Sequence, residues 1–264
     1  MSGKVFLVGA GPGSVDLLTL RAAKLIASAD VLLYDALIGT GILELARTNA
    51  RLINVGKRCG KKSLAQEDIN ALLVYWAHSG DTVVRLKGGD PGVFGRVAEE
   101  VAALRAANIE FEIVPGVTAA CSAAAAAGIS LTDRRVASQV AFATVHHSEE
   151  NSAENFAAAA REGRTLVLYM PGHDYERIFR ELRHAGLRGD TPCVVVTKIA
   201  TTDQQVIWSD LRSLAEQSAL PSPSILIVGE VARPSAAQSG DVVTGKPARA
   251  LVSQLSEELQ VPLM

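Results

Sequence analysis

The stretch Val5-Phe6-Leu7-Val8-Gly9-Ala10-Gly11-Pro12-Gly13, residues 5–13, joins an apolar run directly to a glycine-rich turn. A short apolar run that ends at glycines is typical of a buried strand followed by a tight turn. Apolar residues at helical spacing follow over 20–27. The start of the chain therefore predicts a strand, a turn and a helix, which together are the building unit of α/β proteins.

The same unit recurs along the chain. Apolar runs that predict strands lie at 5–8, 31–34, 83–86, 111–114, 140–143, 166–170, 193–196 and 225–228. Patterns that predict helices lie between them at 20–27, 66–78, 97–107, 155–161 and 175–184. This alternation predicts an α/β protein with a mostly parallel sheet.

A domain boundary is expected after Val114, where a strand meets Pro115 and Gly116 and an alanine-rich helix follows. It divides the chain into an N-terminal α/β domain over 1–114 and a C-terminal α/β domain over 115–232. Residues 233–264 are expected to form a linker rich in Ser, Gly, Pro and Ala and then an amphipathic helix. That helix is indicated by leucines four positions apart after a proline, namely Leu251, Leu255 and Leu259.

The composition argues against several classes of protein. The 264 residues are 48% hydrophobic and carry a formal net charge of -2, so an excess of cations for coating nucleic acid is lacking. No window reaches the roughly 18 apolar residues of a membrane span, and the first residues lack a signal-peptide pattern. The three cysteines lie far apart, and His146 and His147 would point to opposite faces of a strand. We expect a cytoplasmic protein without a metal, nucleic-acid or membrane partner.

The first glycine turn is open to more than one interpretation. An acid, Asp35, follows the second strand, which makes the turn resemble the fingerprint of a nicotinamide-dependent oxidoreductase. The match is poor, because the third glycine comes one residue early and Pro12 removes a backbone donor. A tight loop that admits a small ligand to the backbone, or a turn that binds nothing, are the alternatives.

A second glycine turn follows the strand at 83–86 and carries the sequence Gly88-Gly89-Asp90. It places backbone amides and a carboxylate together at a strand end. A helix beginning near Gly95 would put Arg96, Glu99 and Glu100 on one face, with an arginine beside an acid. An ion pair on a solvated helix is the alternative interpretation.

Together with several further motifs, these turns resemble the tetrapyrrole methylase family, and most closely its uroporphyrinogen-III C-methyltransferases. The further motifs are Leu18–Ala23, Ala29–Leu37, Val55–Arg58, Gln66–Asn70, Val114–Thr118, Ala127–Arg134 and Tyr169-Met170. The resemblance implies two α/β domains with the active site in the cleft between them, and a homodimer. It implies transfer of two methyl groups from S-adenosyl-L-methionine to uroporphyrinogen III. The products are S-adenosyl-L-homocysteine and, through precorrin-1, precorrin-2 for sirohaem or cobalamin biosynthesis.

The resemblance also implies a set of site residues. Those expected to line the S-adenosylmethionine pocket are Pro12, Gly88, Gly89, Asp90, Val93, Phe94, Thr118, Ala119, Met170, Ile199 and Ile227. Asp90 and backbone carbonyls would accept hydrogen bonds from the amino group and ribose of the donor. Met170 and Ile227 would offer apolar walls to adenine.

For the tetrapyrrole, the resemblance implies that cations bind the substrate carboxylates, namely Arg96, Arg134, Lys57 and Arg58. Glu99 is the favoured base, with Arg96, Arg134 and Asp35 as further catalytic groups. Departures from the family pattern, such as Gly92 in place of a Phe and Asp133 in place of a His, leave two alternatives. One is a methylase acting on a different precorrin, and the other is a non-catalytic ligand-binding homologue.

Overall fold

The computed structural model describes residues 3–56, 64–145 and 155–234. Within these ranges the strands form two five-stranded sheets, one from each half of the chain. The predicted C-terminal helix, Lys57, Arg58 and the His146-His147 pair lie outside the described residues. None of the described helices is long and apolar enough to cross a membrane.

The first sheet is parallel throughout. Its strands are β1 Val5–Gly9, β2 Val31–Tyr34, β3 Arg51–Asn54, β4 Val83–Lys87 and β5 Phe111–Val114. They lie in the order β3-β2-β4-β1-β5. The helices of this half are α1 Leu20–Ser28, α2 Thr40–Leu43, α3 Gln66–His78 and α4 Val97–Ala106, with a short 3-10 turn at Val15–Leu17. The four strands predicted here are confirmed, and β3 is an edge strand that the pattern missed.

Both faces of the first sheet are covered, as parallel sheets require. On β4, Val84 and Leu86 pack into the cluster that includes α1, while Val83 packs on the other face with α3 and α4. Because all five strands are parallel, their carboxyl ends meet at one edge of the sheet. The residues after β1, β2, β4 and β5 are therefore neighbours, and this edge carries most of the predicted site.

The second sheet is mixed, which corrects the expectation of mostly parallel strands. Its strands are β6 Gln139–Thr144, β7 Arg164–Tyr169, β8 Pro192–Thr197, β9 Gln205–Asp210 and β10 Ser224–Val228, in the order β6-β7-β10-β8-β9. Only the β6–β7 pair is parallel. The reason is connectivity: β10 inserts between β7 and β8 and runs against both, and the short 198–204 connection makes β8 and β9 an antiparallel pair.

The helices of the second half are α5 Ala119–Ala126, α6 Asn155–Ala158, α7 Tyr175–His184 and α8 Leu211–Ala215, with a 3-10 turn at Glu230–Ala232. Helix α5 follows β5 and packs its alanines against the second sheet. The predicted helix at 155–161 is shorter than expected. We keep the domain boundary after Val114 as a proposal, since α5 passes directly from the first sheet to the core of the second.

Candidate functional site

Two glycine turns are joined at the carboxyl edge of the first sheet. Gly89 N donates to Gly11 O at 2.7 Å, and Gly11 N donates to Gly89 O at 3.2 Å. Gly116 packs against both turns, because a Cβ atom on it would lie 2.4 Å from Gly89 O and 2.8 Å from Gly9 Cα. Pro12, which directly follows Gly11, is thereby brought beside Gly88 and Gly89.

The Asp90 carboxylate joins the Gly88-Gly89 turn to a third glycine loop, which contains Gly116 and follows β5. Its Oδ1 accepts a hydrogen bond from Gly92 N at 2.8 Å, and its Oδ2 accepts one from Gly116 N at 3.0 Å. Each ionised oxygen has a further lone pair. The carboxylate thus fixes the loop and keeps acceptor capacity for a ligand amino or hydroxyl group.

Tyr169, at the end of β7, contacts two predicted site residues, Thr118 of the second half and Phe94 of the first. Its hydroxyl lies 2.6 Å from Thr118 Oγ1 and accepts a hydrogen bond from Ala120 N at 3.2 Å. Its ring lies 4.8 Å from that of Phe94 between centroids. Burial raises the pKa of this hydroxyl, which stays protonated. Tyr169 was not among the predicted site residues, although a phenol at the end of a buried strand is a recognisable anchor.

Backbone strain is concentrated around the same place. Phe94, Arg96 and Met170 have φ angles of 52°, 56° and 49°, a left-handed conformation that is uncommon for residues with a side chain. Phe94 and Met170 also expose 41% and 48% of their surface. Strained and exposed apolar residues of this kind cluster at ligand-binding sites. Beside them, Val93 is partly buried against the cluster that contains α5.

The two isoleucines predicted for the pocket have different surroundings. Ile199 is buried, and a Cβ atom on Gly13 would lie 3.5 Å from Ile199 O, so its loop lies against the first glycine turn. Ile227 is 0% exposed in the centre of β10, which has β7 on one side and β8 on the other. The Ile227 side chain thus packs in the core of the second sheet, and its contact with the donor stays a prediction.

Arg96 and Glu99 form the predicted pair at the start of α4. Arg96 Nε donates to Glu99 Oε1 at 2.8 Å, and Arg96 Nη2 donates to Glu99 Oε2 at 2.7 Å. The hydrogen-bonded guanidinium holds the pKa of the Glu99 carboxyl below its usual range. The expectation that Glu100 shares this face is wrong, since Glu100 is 0% exposed and points into the protein.

Arg134 is exposed, and within the described residues its side chain makes no hydrogen bond or ion pair. The neighbouring acid is engaged elsewhere: Arg135 donates to both oxygens of Asp133, at 3.0 and 2.6 Å. These hydrogen bonds lower the pKa of Asp133 to about 2. The acid beside Arg134 is therefore held by Arg135, and the Arg134 guanidinium is available to a ligand.

Asp35 lies at the carboxyl end of β2 and is linked to charges inside the protein. Arg85 Nη2 donates to Asp35 Oδ1 at 2.6 Å, and Arg85 Nε donates to Glu100 Oε1 at 2.9 Å. Lys87 Nζ donates to the same Glu100 oxygen at 2.8 Å. Burial and the Arg85 charge lower the pKa of Lys87. The only sequence signal for this cluster is the presence of two cations in the buried run of β4.

Among the described side chains, no group of three or more His, Cys, Asp or Glu residues is arranged as a metal site. The carboxyl edge of the first sheet instead brings together three glycine loops, the Asp35 and Asp90 carboxylates and the Arg96–Glu99 pair, all on segments that follow its strands.

The fold and these loops are those of a family of methylases. Residues 4–215 match the tetrapyrrole (corrin/porphyrin) methylases, and the chain belongs to this family. Family membership replaces the dinucleotide-binding interpretation of the first glycine turn.

Individual relatives indicate which members of this family the chain resembles. The siroheme synthase of Zymomonas mobilis is 44% identical over 232 residues, which are 87% of this chain and 49% of the relative. The uroporphyrin-III C-methyltransferase of Thermus thermophilus, solved with S-adenosylhomocysteine, is 35% identical with a TM-score of 0.73, over 88% of this chain and 94% of that one. A cobalt precorrin-4 methyltransferase is 26% identical with a TM-score of 0.75, over 88% and 96%. The chain spans about half the length of the curated relatives it matches.

Proposed function

We propose that this chain is an S-adenosylmethionine-dependent C-methyltransferase that converts uroporphyrinogen III to precorrin-2. The observation that carries the proposal is the joining of three glycine loops at one sheet edge, with the exposed Arg96 on the segment that follows β4. It is supported by the likeness to the Thermus thermophilus enzyme, whose structure contains S-adenosylhomocysteine. The choice of uroporphyrinogen III as the substrate rests on the name of that relative and on the chemistry of the site.

The methyl donor would bind against the glycine loops. Their backbone groups and the Asp90 oxygens suit its amino group and ribose, and the exposed surfaces of Phe94 and Met170 suit its adenine. The sulfonium of the donor supplies an activated methyl group. The chain then has to hold the methyl carbon and the attacking pyrrole carbon close together and in line.

The acceptor is a macrocycle with many carboxylates, so it needs cations at the cleft. Arg134 is assigned to such a contact because it is exposed and unpaired within the described residues, and Arg96 because it is exposed although it is paired with Glu99. Lys57 and Arg58 belong to the same proposal, although they lie outside the described residues. Because the whole chain has a net charge of -2, these cations act locally rather than through the overall charge.

A base must collect the proton that leaves the methylated macrocycle. Arg96 occupies both oxygens of Glu99 and lowers its pKa, which weakens Glu99 as a base in this arrangement. Asp35 has one oxygen engaged by Arg85, and its other oxygen makes no hydrogen bond within the described residues. We therefore favour Asp35 as the proton acceptor and Glu99 as the residue that orients Arg96.

Incubation with uroporphyrinogen III and the methyl donor in the absence of oxygen tests the proposal. We expect the tetrapyrrole to gain two methyl groups, through precorrin-1, with release of two S-adenosylhomocysteine molecules. Asp35→Asn should lower kcat, whereas Glu99→Gln should act mainly on KM by loosening Arg96. If the chain binds S-adenosylhomocysteine but leaves uroporphyrinogen III unchanged, the assignment of the substrate is contradicted.

A second candidate is methylation of a different precorrin. It is favoured by the high TM-score to the cobalt precorrin-4 methyltransferase, but the sequence identity to that enzyme is lower. Methyl transfer to a later precorrin but not to uroporphyrinogen III would decide for this second candidate.

The first proposal also includes a cytoplasmic homodimer that serves sirohaem or cobalamin synthesis. The mass of the protein in solution tests whether it is a dimer.

A further inference from the structure

A cluster of four charged side chains lies under the carboxyl edge of the first sheet: Asp35, Arg85, Lys87 and Glu100. We propose that Arg85 is a positioning residue, which holds the Asp35 carboxylate in place at the cleft, and that Glu100 is the buried counter-charge that fixes Arg85. This inference rests on the proposed function, in which Asp35 accepts a proton from the macrocycle.

The geometry of Arg85 is that of a side chain with a single fixed orientation. It is 3% exposed, and three of its nitrogens donate in different directions. Besides its hydrogen bonds to Asp35 and Glu100, Nη1 donates to Leu86 O at 3.2 Å. Since the guanidinium is planar and rigid, these three contacts determine where the Asp35 oxygen must lie.

Asp35 itself is only partly enclosed. Its side chain is 30% exposed, in contrast to 3% for Arg85 and 0% for Glu100. Arg85 therefore anchors the inner oxygen of a carboxylate that still reaches the surface of the cleft. A carboxylate held at one oxygen presents the other in a fixed direction, which is what proton transfer at a stated distance requires.

Glu100 connects this contact to the start of α4. Its Oε1 accepts hydrogen bonds from both Arg85 and Lys87, and its buried Oε2 has no hydrogen-bond partner among the residues that the structure describes. A buried carboxylate is costly without paired cations, and buried ion clusters contribute little net stability. Arg96 is the N-cap residue of the same helix, and Glu99 lies in its first turn. The cluster thus joins the proposed proton acceptor to the segment that would bind the substrate.

Lys87 provides a matched control for Arg85. It lies on the same strand and face, is buried to the same degree, and binds the same oxygen of Glu100. Within the described residues it makes no hydrogen bond or ion pair with Asp35. Replacing either cation therefore leaves one partner for Glu100. Only a change at Arg85 removes a hydrogen bond to Asp35, since Lys87 acts on Asp35 through its charge alone.

The test compares Arg85→Lys, Arg85→Met and Lys87→Met in the full chain with uroporphyrinogen III as substrate. S-Adenosylhomocysteine binding, measured by calorimetry, checks that each variant is folded. We expect Arg85→Lys and Arg85→Met to lower kcat by about a hundredfold with KM and donor-product affinity unchanged, because the proton acceptor is misplaced. Lys87→Met should retain most of its kcat. If Arg85→Met does not fold, Arg85→Lys decides.

A double-mutant cycle separates positioning from a merely structural role. If Arg85 acts through Asp35, adding Arg85→Lys to Asp35→Asn lowers kcat no further. A normal kcat for Arg85→Lys, an equal loss for Lys87→Met, or additive losses in the cycle would each overturn the inference while leaving the proposed function intact. Absence of methyl transfer by the unaltered chain would instead overturn both.

Discussion

The Tyr169 hydroxyl lies 2.6 Å from Thr118 Oγ1, and this contact joins the end of β7 to the first turn of α5. The same hydroxyl accepts a hydrogen bond from Ala120 N. One phenol thus connects the second sheet to the segment that follows the third glycine loop. In the proposed function these residues border the donor pocket, so the contact links the stability of the fold to donor binding.

Tyr169→Phe removes this contact while keeping the ring. We expect S-adenosylhomocysteine to bind about fivefold more weakly, because a buried hydrogen bond contributes about 1 kcal/mol and the start of α5 is released. Calorimetry measures the affinity. Tyr75→Phe is the control, since Tyr75 is 61% exposed. Equal affinities of the two variants would show that Tyr169 does not support the pocket.

Asp90→Asn should loosen the contact between the second and third glycine loops. The amide nitrogen cannot accept from a backbone N–H, so one of the hydrogen bonds to Gly92 and Gly116 is lost. We expect donor-product affinity to fall by about tenfold or more. Asp81→Asn, before rather than after β4, is the control at the opposite edge of the sheet. Retention of full affinity by Asp90→Asn would contradict the placement of the donor.

Arg134→Met tests whether the Arg134 guanidinium binds a carboxylate of the substrate. We expect KM for uroporphyrinogen III to rise by about tenfold or more, since hydrogen bonds to charged groups contribute about 1.5–3 kcal/mol, with kcat and donor affinity little changed. Arg188→Met is the control, because that arginine is exposed but paired with Asp190. A rise in KM that is equal in both variants would mean that Arg134 has no specific role.

The buried Lys87 predicts a pH dependence of stability. Because burial lowers its folded-state pKa below 10.5, the unfolded chain binds more protons between that lowered value and pH 10.5. The contribution of Lys87 to the free energy of unfolding therefore rises with pH in this window. Denaturant unfolding at several pH values should show a component of this sign that is absent from Lys87→Met. Identical pH slopes for the two chains would contradict it.

Much of the fold follows from local patterns, and its exceptions have physical reasons. All eight predicted strands are found, because each contains an apolar run. Six of them are buried on both faces, and the edge strands β5 and β6 are only partly buried. The edge strands β3 and β9 were missed because their sequences, Arg51–Asn54 and Gln205–Asp210, mix polar residues with apolar ones and are only half buried. The direction of β10 depends on which strands it inserts between, and local sequence does not contain that information.

The candidate site likewise has some features that local sequence predicts and others that depend on how the elements pack. The glycine turns and the Arg96–Glu99 pair are local features, and spacing predicted both. The pairing of Arg85 with Glu100 joins β4 to α4, and its existence depends on how the helix packs on the sheet. The core position of Ile227 was likewise not evident from a resemblance, because burial is a property of the assembled sheet.

The position of the transferred methyl groups tests the central claim most directly. Uroporphyrinogen III is incubated without oxygen with a donor whose methyl group is isotopically labelled, and the tetrapyrrole is examined by NMR. The proposed function predicts two labelled methyl groups, each bonded to a ring carbon, on neighbouring pyrrole rings. A tetrapyrrole without label, or label on a carboxylate oxygen or a nitrogen, would contradict it.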